Sequence, residues 1–155
     1  MKLGLGFAGT GLWSSLLLIV IRPRSLAWAT IGVPRPLRWA GAGVAFACLA
    51  VVYLVFKSLG PNVTRTAATR PEHSLVTSGP YRWVRHPLYT TATVAMLGLS
   101  LAASSWLIAA FAVAGFGLLA VRTREEEAAL LRRFGNEYRS YARRTGRYLP
   151  KRGRR

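Results

Sequence analysis

The stretch that decides the fold of this chain runs from Leu88 to Val121 and reads LYTTATVAMLGLSLAASSWLIAAFAVAGFGLLAV. Its 34 residues carry no charge. A helix that crosses a bilayer needs about 20 apolar residues, so this stretch is too long for a single span. Ala103, Ser104 and Ser105 lie near its middle and favour a tight turn there. The stretch therefore predicts a hairpin of two membrane helices, each about 25 Å long.

Two further blocks without charge precede this hairpin. Leu3 to Ile21 has 19 residues and Trp39 to Phe56 has 18, and each matches the length of one span. The first block is longer than the roughly 7–15 apolar residues of a secretory signal peptide, which favours a retained anchor. The expected fold is an all-α integral membrane protein with about four transmembrane helices and a cytoplasmic C-terminal amphipathic helix.

Length and composition narrow the class of protein further. The chain has 155 residues, room for one domain, and 52% of them are hydrophobic, which excludes a disordered chain. We expect a single membrane domain over residues 1–155, with N-terminal spans and a linker in 1–72, a core in 73–150 and a basic tail in 151–155. The 22 basic residues face only five acidic ones. The long apolar blocks nevertheless argue against a soluble nucleic-acid binder, so we expect membrane lipids and no nucleic acid as partners.

The distribution of basic residues predicts the orientation in the membrane. Twelve of the 22 lie between Arg122 and the C-terminus. Five more lie in the linker and the motif that follows it: Lys57, Arg65, Arg70, Arg82 and Arg85. The positive-inside rule places both regions in the cytoplasm. With four spans the remaining arginines up to Arg38 would lie on the far side, so whether residues 3–21 cross the membrane stays open.

The polar residues that could carry chemistry are concentrated in HSLVTSGPYRWVRHPLY, from His73 to Tyr89. This segment contains both histidines of the chain, and Pro87 suits the first turn of the following helix. Taken singly, these features are typical of hydrogen-bonded structural residues or of an aromatic belt. Arg122 and Glu126 are four residues apart and can form an ordinary ion pair on one helical face. The spacing of histidine and cysteine matches no zinc site, so we expect no metal.

In combination, three patterns carry a family resemblance. They are HxLVTxGPYxxxRHPxY over residues 73–89, RxxxEExxL over 122–130 and FGxxYxxY followed by RxLP over 134–150. In this order they closely resemble the isoprenylcysteine carboxyl methyltransferase family, whose broader relatives are membrane phospholipid methyltransferases. The match covers about half of the chain.

The resemblance implies an integral-membrane methyltransferase that uses S-adenosylmethionine in a pocket facing the cytoplasm and methylates a lipophilic acceptor. Arg122 and Glu126 match the residues of the reaction site, and Arg122 matches the arginine that faces the substrate. The positions that match cofactor contacts are His73, Ser74, Leu75, Val76, Tyr81, His86, Pro87, Leu88, Tyr89 and Glu126.

The chemistry of these residue types agrees with the resemblance. S-adenosylmethionine carries an ammonium, which a carboxylate such as Glu126 can bind, and a sulfonium, which the aromatic faces of Tyr81 and Tyr89 can contact. A carboxylate acceptor suits the permanently charged guanidinium of Arg122.

Two other functions stay open at this point. One is a membrane sterol-type reductase that uses NADPH, because such enzymes share a related C-terminal pattern of tyrosine and proline. The other is a membrane anchor without catalytic activity, whose basic tail binds anionic lipids at about 1 kcal/mol per Lys or Arg.

Overall fold

A computed structural model describes residues 27–60 and 74–151, most of which are helical. Three α-helices follow one another along the chain: α1 (Arg35–Leu59), α2 (Pro87–Ala103) and α3 (Trp106–Arg144). Between residues 27 and 60, and again from 74 to 151, no β-strand forms, and only two isolated bridges occur. The predicted first span, residues 3–21, and the predicted contact His73 lie outside the described residues.

Helix α1 contains the second predicted span and extends past both of its ends. Pro36 lies in its first turn, where the missing N–H has no partner to lose. At the other end, Gly60 has a φ of 50° and is followed by Pro61. A left-handed residue after the last turn, with proline next, is a common way for a helix to end.

The predicted turn of the hairpin is confirmed. Helix α2 begins at Pro87, as its sequence indicated, and ends at Ala103. Ser104 then adopts a φ of 54°, and the N–H of Ser105 donates to the carbonyl of Ser100 at 2.9 Å. This hydrogen bond satisfies one of the last carbonyl groups of α2. Together with the left-handed conformation of Ser104, it reverses the direction of the chain.

Helix α3 is longer than the sequence indicated, because it continues from the apolar block directly into the charged C-terminal segment. Its only non-helical residue is Gly135, with φ 50° and ψ −119°. Gly135 divides the charged part of the helix, with Leu130 and Phe134 before it and Tyr138 and Tyr141 after it. The amphipathic character of the last part of α3 stays a prediction.

Two of the three helices, α1 and α3, are long and apolar enough to cross a membrane. Only 17% of each apolar window is buried by the protein itself, whereas the core helix of a soluble protein would be mostly buried. Trp39, Phe46 and Val113 are among the large apolar side chains left exposed, a pattern that a surrounding bilayer would cover. Helix α2, with 17 residues, is a shorter apolar helix, so the count of four spans stays a prediction.

The described residues divide into two units. The first comprises residues 27–49 and 91–120, and in it α1 and α2 touch through their backbones. A Cβ atom at Gly41 would lie 2.6 Å from the carbonyl oxygen of Gly98, and one at Gly98 would lie 2.7 Å from the oxygen of Gly41. Small residues that allow backbones to approach are typical of helix packing in membranes.

The second unit comprises residues 50–60, 74–90 and 121–151. Its buried side chains include Val55, Val84, Thr123, Tyr138 and Tyr141. Most of the residues that the sequence singled out for chemistry lie in this unit.

Candidate active site

The loop before α2 is held in place by contacts at its start. Residues Gly79–Arg82 form a short 3₁₀ helix. Gly79 has a φ of 57°, and a Cβ atom there would lie 2.1 Å from the hydroxyl oxygen of Ser58, so the position requires glycine. The hydroxyl of Tyr141 donates to the carbonyl of Tyr81 at 2.7 Å. The loop thus has a defined position before it reaches the RHPLY sequence.

Residues 145–151, here called the C-terminal strap, run alongside this loop. Gly146 forms a parallel bridge with Val84, and its N–H donates to the carbonyl of Trp83 at 3.1 Å. In return, the N–H of Arg85 donates to the carbonyl of Gly146 at 2.9 Å, and that of His86 donates to the carbonyl of Arg147 at 3.1 Å. The strap therefore fixes the backbone of the two residues that precede α2.

A part-buried carboxylate, Glu127, joins the loop, α3 and the strap. Its oxygens accept hydrogen bonds from Arg85 Nε at 2.8 Å and from Arg147 Nη2. His86 Nε2 lies 3.3 Å from the same carboxylate. The side chains of Glu127 and Arg85 are only 12% and 10% exposed. A charge so far from water requires a partner, so the contact is mainly structural.

Arg85 has a second role at the end of α3. Its Nη1 donates to the carbonyl oxygens of Ala142 at 3.0 Å and of Thr145 at 2.6 Å. Those carbonyls lie at a helix C-terminus, where no helical N–H remains to bond them and where a cation is favoured. Arg85 thereby links the start of α2 to the end of α3.

The neighbouring carboxylate, Glu126, has a different set of partners. The hydroxyl of Tyr89 donates to both of its oxygens, at 2.8 and 3.0 Å, and Arg122 Nε donates to Oε1 at 2.8 Å. His86 Nδ1 lies 3.9 Å from Oε2. The side chain of Glu126 is 22% exposed, so the carboxylate is held in a fixed orientation and stays accessible.

The imidazole of His86 lies between the two carboxylates. Its ring stacks on that of Tyr89, with centroids 5.5 Å apart and an interplanar angle of 12°. The ring of Tyr148 approaches it at 6.0 Å. Burial lowers the pKa of His86, although Glu127 and Glu126 act in the opposite direction. At neutral pH the ring is therefore uncharged, and it can donate from one nitrogen and accept at the other.

A cavity of about 230 Å³ opens beside Glu126. Its lining combines the carboxylate with the loop and the first turn of α2. The lining residues are Tyr81, Arg85, His86, Pro87, Leu88, Tyr89, Glu126 and Leu130. Burial, with a contribution from Tyr141, raises the pKa of Tyr81 to about 12, so its ring is a neutral phenol at the cavity wall. The guanidinium of Arg85 at the wall is paired with Glu127. The rest of the lining offers one oriented anion, aromatic faces and a neutral imidazole, which suits a small cationic ligand.

Most of the predicted contact residues that the structure describes meet in this cavity. Six of them line it: Tyr81, His86, Pro87, Leu88, Tyr89 and Glu126. Arg122 does not line it but forms the ion pair with Glu126 that its spacing predicted. Ser74, Leu75 and Val76 are not among the lining residues, and their role as contacts stays a prediction.

Sequence reasoning missed four residues at or behind this site. Arg85 and Leu130 line the cavity, while Glu127 and Arg147 hold the loop from behind it. The role of Glu127 could have been predicted in part from the sequence. Adjacent residues of a helix point about 100° apart, so Glu126 and Glu127 need separate partners. The contact between Glu127 and Arg147, 20 residues away, has no such signal.

Within the described ranges, no group of three or more His, Cys, Asp or Glu side chains could hold a metal ion. Glu126 and Glu127 each have basic or hydroxyl partners instead. Nothing in the described part of the chain therefore points to a metal centre.

Three kinds of similarity to known proteins bear on this site. The model of the isoprenylcysteine carboxyl methyltransferase (ICMT) family matches residues 42–132, more than half of the chain. Among individual proteins, the nickel-cobalt-cadmium resistance protein NccN of Alcaligenes xylosoxydans xylosoxydans is 38% identical over 82 residues, 53% of this chain and 38% of that protein. The protein-S-isoprenylcysteine O-methyltransferase of Homo sapiens is 35% identical over 79 residues, 50% of this chain and 28% of that protein.

A solved structure shares the fold. The eukaryotic intramembrane Ras methyltransferase ICMT superposes with a TM-score of 0.69 over 94% of this chain and 51% of that chain, at 23% sequence identity. The chain thus spans about half of the solved structure and less than half of the two relatives above. The match to the family model nevertheless extends from α1 through the RHPLY sequence to the paired glutamates, Glu126 and Glu127. The chain therefore belongs to the isoprenylcysteine carboxyl methyltransferase family.

Proposed function

We propose that this chain is an integral-membrane methyltransferase that uses S-adenosylmethionine to methylate the carboxylate of a lipophilic acceptor at the cytoplasmic face of the membrane. The observation that carries the proposal is the position of Glu126. Its carboxylate is oriented by Tyr89 and Arg122 at the edge of a cavity that the RHPLY sequence lines.

The residues of the cavity fit the methyl donor. S-adenosylmethionine supplies a methyl group activated by a sulfonium, and it also carries an ammonium. The ammonium can take the accessible side of the Glu126 carboxylate, which is 22% exposed. The rings of Tyr81 and Tyr89 provide the aromatic faces that stabilise a nearby cation. The neutral imidazole of His86 adds no competing positive charge. The motif that contains Ser74, Leu75 and Val76, and His73 before them, is expected to complete the contacts to the donor.

Arg122 fits the acceptor. Its Nε is committed to Glu126, but within the described residues its two terminal nitrogens form no other hydrogen bond. The side chain is 39% exposed, so these nitrogens can receive a second carboxylate as a planar fork. One guanidinium would then hold the acceptor carboxylate next to the residue that holds the donor.

The reaction that this arrangement supports is an in-line displacement. An oxygen of the acceptor carboxylate forms a bond to the methyl carbon while the carbon–sulfur bond breaks and its electron pair stays on sulfur. The products are a methyl ester and a neutral thioether. A carboxylate needs no base, so no residue has to accept a proton. Alignment of two bound reactants can contribute up to about 7–11 kcal/mol to such a step.

Binding and turnover of radiolabelled S-adenosylmethionine test the proposal. Purified protein in detergent should bind the donor and methylate a farnesylcysteine carboxylate. Glu126→Gln keeps the size of the side chain but removes its charge, and it should abolish both. Glu125→Gln removes an equal charge from the adjacent, exposed position and should change neither. Normal donor binding by a folded Glu126→Gln variant would refute the site. Donor binding without methylation of any carboxylate would refute the proposal that the acceptor group is a carboxylate.

A further inference from the structure

The first unit of the chain has basic residues but no acidic residue in its sequence. Residues 1–49 and 91–120 include Lys2 and four arginines but no aspartate or glutamate. Two of these arginines, Arg35 and Arg38, lie in the first turn of α1. A helix N-terminus carries a partial positive charge, so cations there are unfavourable unless an anion lies close by. That anion cannot be a side chain of the same unit.

A cavity of about 290 Å³ lies at these two arginines. It is lined by Arg35, Arg38, Trp39, Ala42 and Ala102. Its walls therefore combine two cationic groups with apolar surface.

The guanidinium of Arg38 is oriented rather than free. Its Nε donates to the carbonyl oxygen of Ala102 at 3.1 Å, next to the last residue of α2. This bond satisfies a carbonyl at a helix C-terminus. Across residues 27–60 and 74–151, neither the terminal nitrogens of Arg38 nor the guanidinium of Arg35 forms a hydrogen bond or ion pair with the protein. Two forks of N–H donors are thus available at the cavity.

Aromatic residues in the same unit indicate what surrounds this cavity. Trp39 is 78% exposed, and Trp28 is 63% exposed while packing edge-on against Trp106 at 5.5 Å. Exposed tryptophans next to arginines at the end of an apolar helix are typical of the membrane–water interface. The anions at that level of a bilayer are the phosphates of lipid headgroups.

We propose that the cavity at Arg35 and Arg38 binds the phosphate of an anionic phospholipid. Both guanidiniums donate to the phosphate oxygens, since their planar forks match that geometry. The ring of Trp39 and the small side chains Ala42 and Ala102 contact the glycerol and the upper part of the acyl chains. The lipid is then a bound ligand of the first unit, and its binding does not depend on the proposed methyl transfer.

Lipid binding to protein purified in a neutral detergent tests this inference. Native mass spectrometry counts retained lipids, and intrinsic tryptophan fluorescence, to which Trp39 contributes, follows titration with phosphatidylglycerol. Phosphatidylglycerol should bind at a saturable site, with at least about tenfold higher affinity than phosphatidylcholine. The double variant Arg35→Gln/Arg38→Gln should lose this preference. A matched control, Arg139→Gln/Arg144→Gln, removes two exposed arginines from the second unit and should keep it.

Three results would overturn the inference. One is equal loss of binding in the two double variants, since that would indicate general attraction to positive charge. Another is unchanged binding in Arg35→Gln/Arg38→Gln. The third is an equal fluorescence change with inorganic phosphate alone, which would identify a free anion and not a lipid as the ligand. Circular dichroism and the thermal midpoint without lipid establish that each variant is folded.

Discussion

Glu126 and Glu127 are adjacent in α3, yet only Glu126 lines the cavity. Glu126 is bonded by Tyr89 and Arg122, whereas Glu127 is bonded by Arg85 and Arg147. Adjacent side chains of a helix point in different directions. One carboxylate therefore faces the proposed ligand, and the other faces the arginines of the loop and the C-terminal strap. Substitution of the two residues should therefore have different consequences.

Glu127→Gln should mainly destabilise the protein. It leaves the guanidinium of Arg85, 10% exposed, without its carboxylate. Breaking a fully buried ion pair costs about 3–5 kcal/mol, which is the upper bound for this part-buried pair. The thermal midpoint in detergent should fall by many degrees. Arg147→Gln removes the more exposed partner, 43% accessible, and should cost no more than about 1 kcal/mol. Equal midpoints for the two variants would contradict a structural role of the buried pair.

Tyr89→Phe should weaken binding of the donor without unfolding the protein. The change removes the hydroxyl that orients Glu126 but keeps the ring that stacks on His86. A hydrogen bond to a charged group contributes about 1.5–3 kcal/mol, so affinity for S-adenosylmethionine should fall by about tenfold or more.

Binding of radiolabelled S-adenosylmethionine to the purified variant measures the effect of Tyr89→Phe. Tyr53→Phe serves as the control, because Tyr53 is 65% exposed on α1. If Tyr89→Phe binds as tightly as the Tyr53→Phe control, the hydroxyl does not prepare Glu126 for the donor.

Stability should decrease as the pH falls through the ordinary range of histidine. Burial lowers the pKa of His86 in the folded protein. The unfolded chain therefore takes up this proton first, near its usual value of about 6.5, and the folded state loses stability below that pH. The thermal midpoint of the unsubstituted chain should drop between about pH 7.5 and about pH 5.5.

His86→Gln cannot titrate and should flatten this dependence. His73→Gln removes the only other histidine and tests whether that residue contributes. A His86→Gln variant whose midpoint still follows the original pH dependence would show that another group is responsible.

Gly98→Ala should disturb the packing of α1 against α2. The added methyl group would lie 2.7 Å from the carbonyl oxygen of Gly41, and rigid backbone cannot move aside without cost. We expect the free energy of unfolding to fall by about 1–3 kcal/mol, which a lower thermal midpoint would show. Gly43→Ala, where no atom lies within 4 Å, should be neutral or stabilise by up to about 1 kcal/mol. A neutral Gly98→Ala would refute the close contact of the two backbones.

Several elements were predictable because their signals are local. The turn at Ser104 and Ser105 interrupts a long apolar stretch, and Pro87 marks the first residue of a helix. The ion pair of Arg122 with Glu126 follows from a separation of four residues on a helix. Apolar length also predicted a helix over the second block, now α1. The length of α3 was not predicted, since the change from apolar to charged residues does not by itself interrupt a helix.

The sequence alone determined the apolar helices, the turn between α2 and α3 and the family to which the motifs point, because these depend on composition and on neighbours a few residues apart. Only the tertiary structure decided that Tyr89 and Glu126, 37 residues apart, share a hydrogen bond. It also decided that Glu127 pairs both with Arg85, which precedes it in the sequence, and with Arg147, which follows it. Periodicity carries no information on such pairs, since their distance depends on how the loop, α2, α3 and the C-terminal strap pack together. The site is therefore assembled by contacts between segments that are distant in sequence.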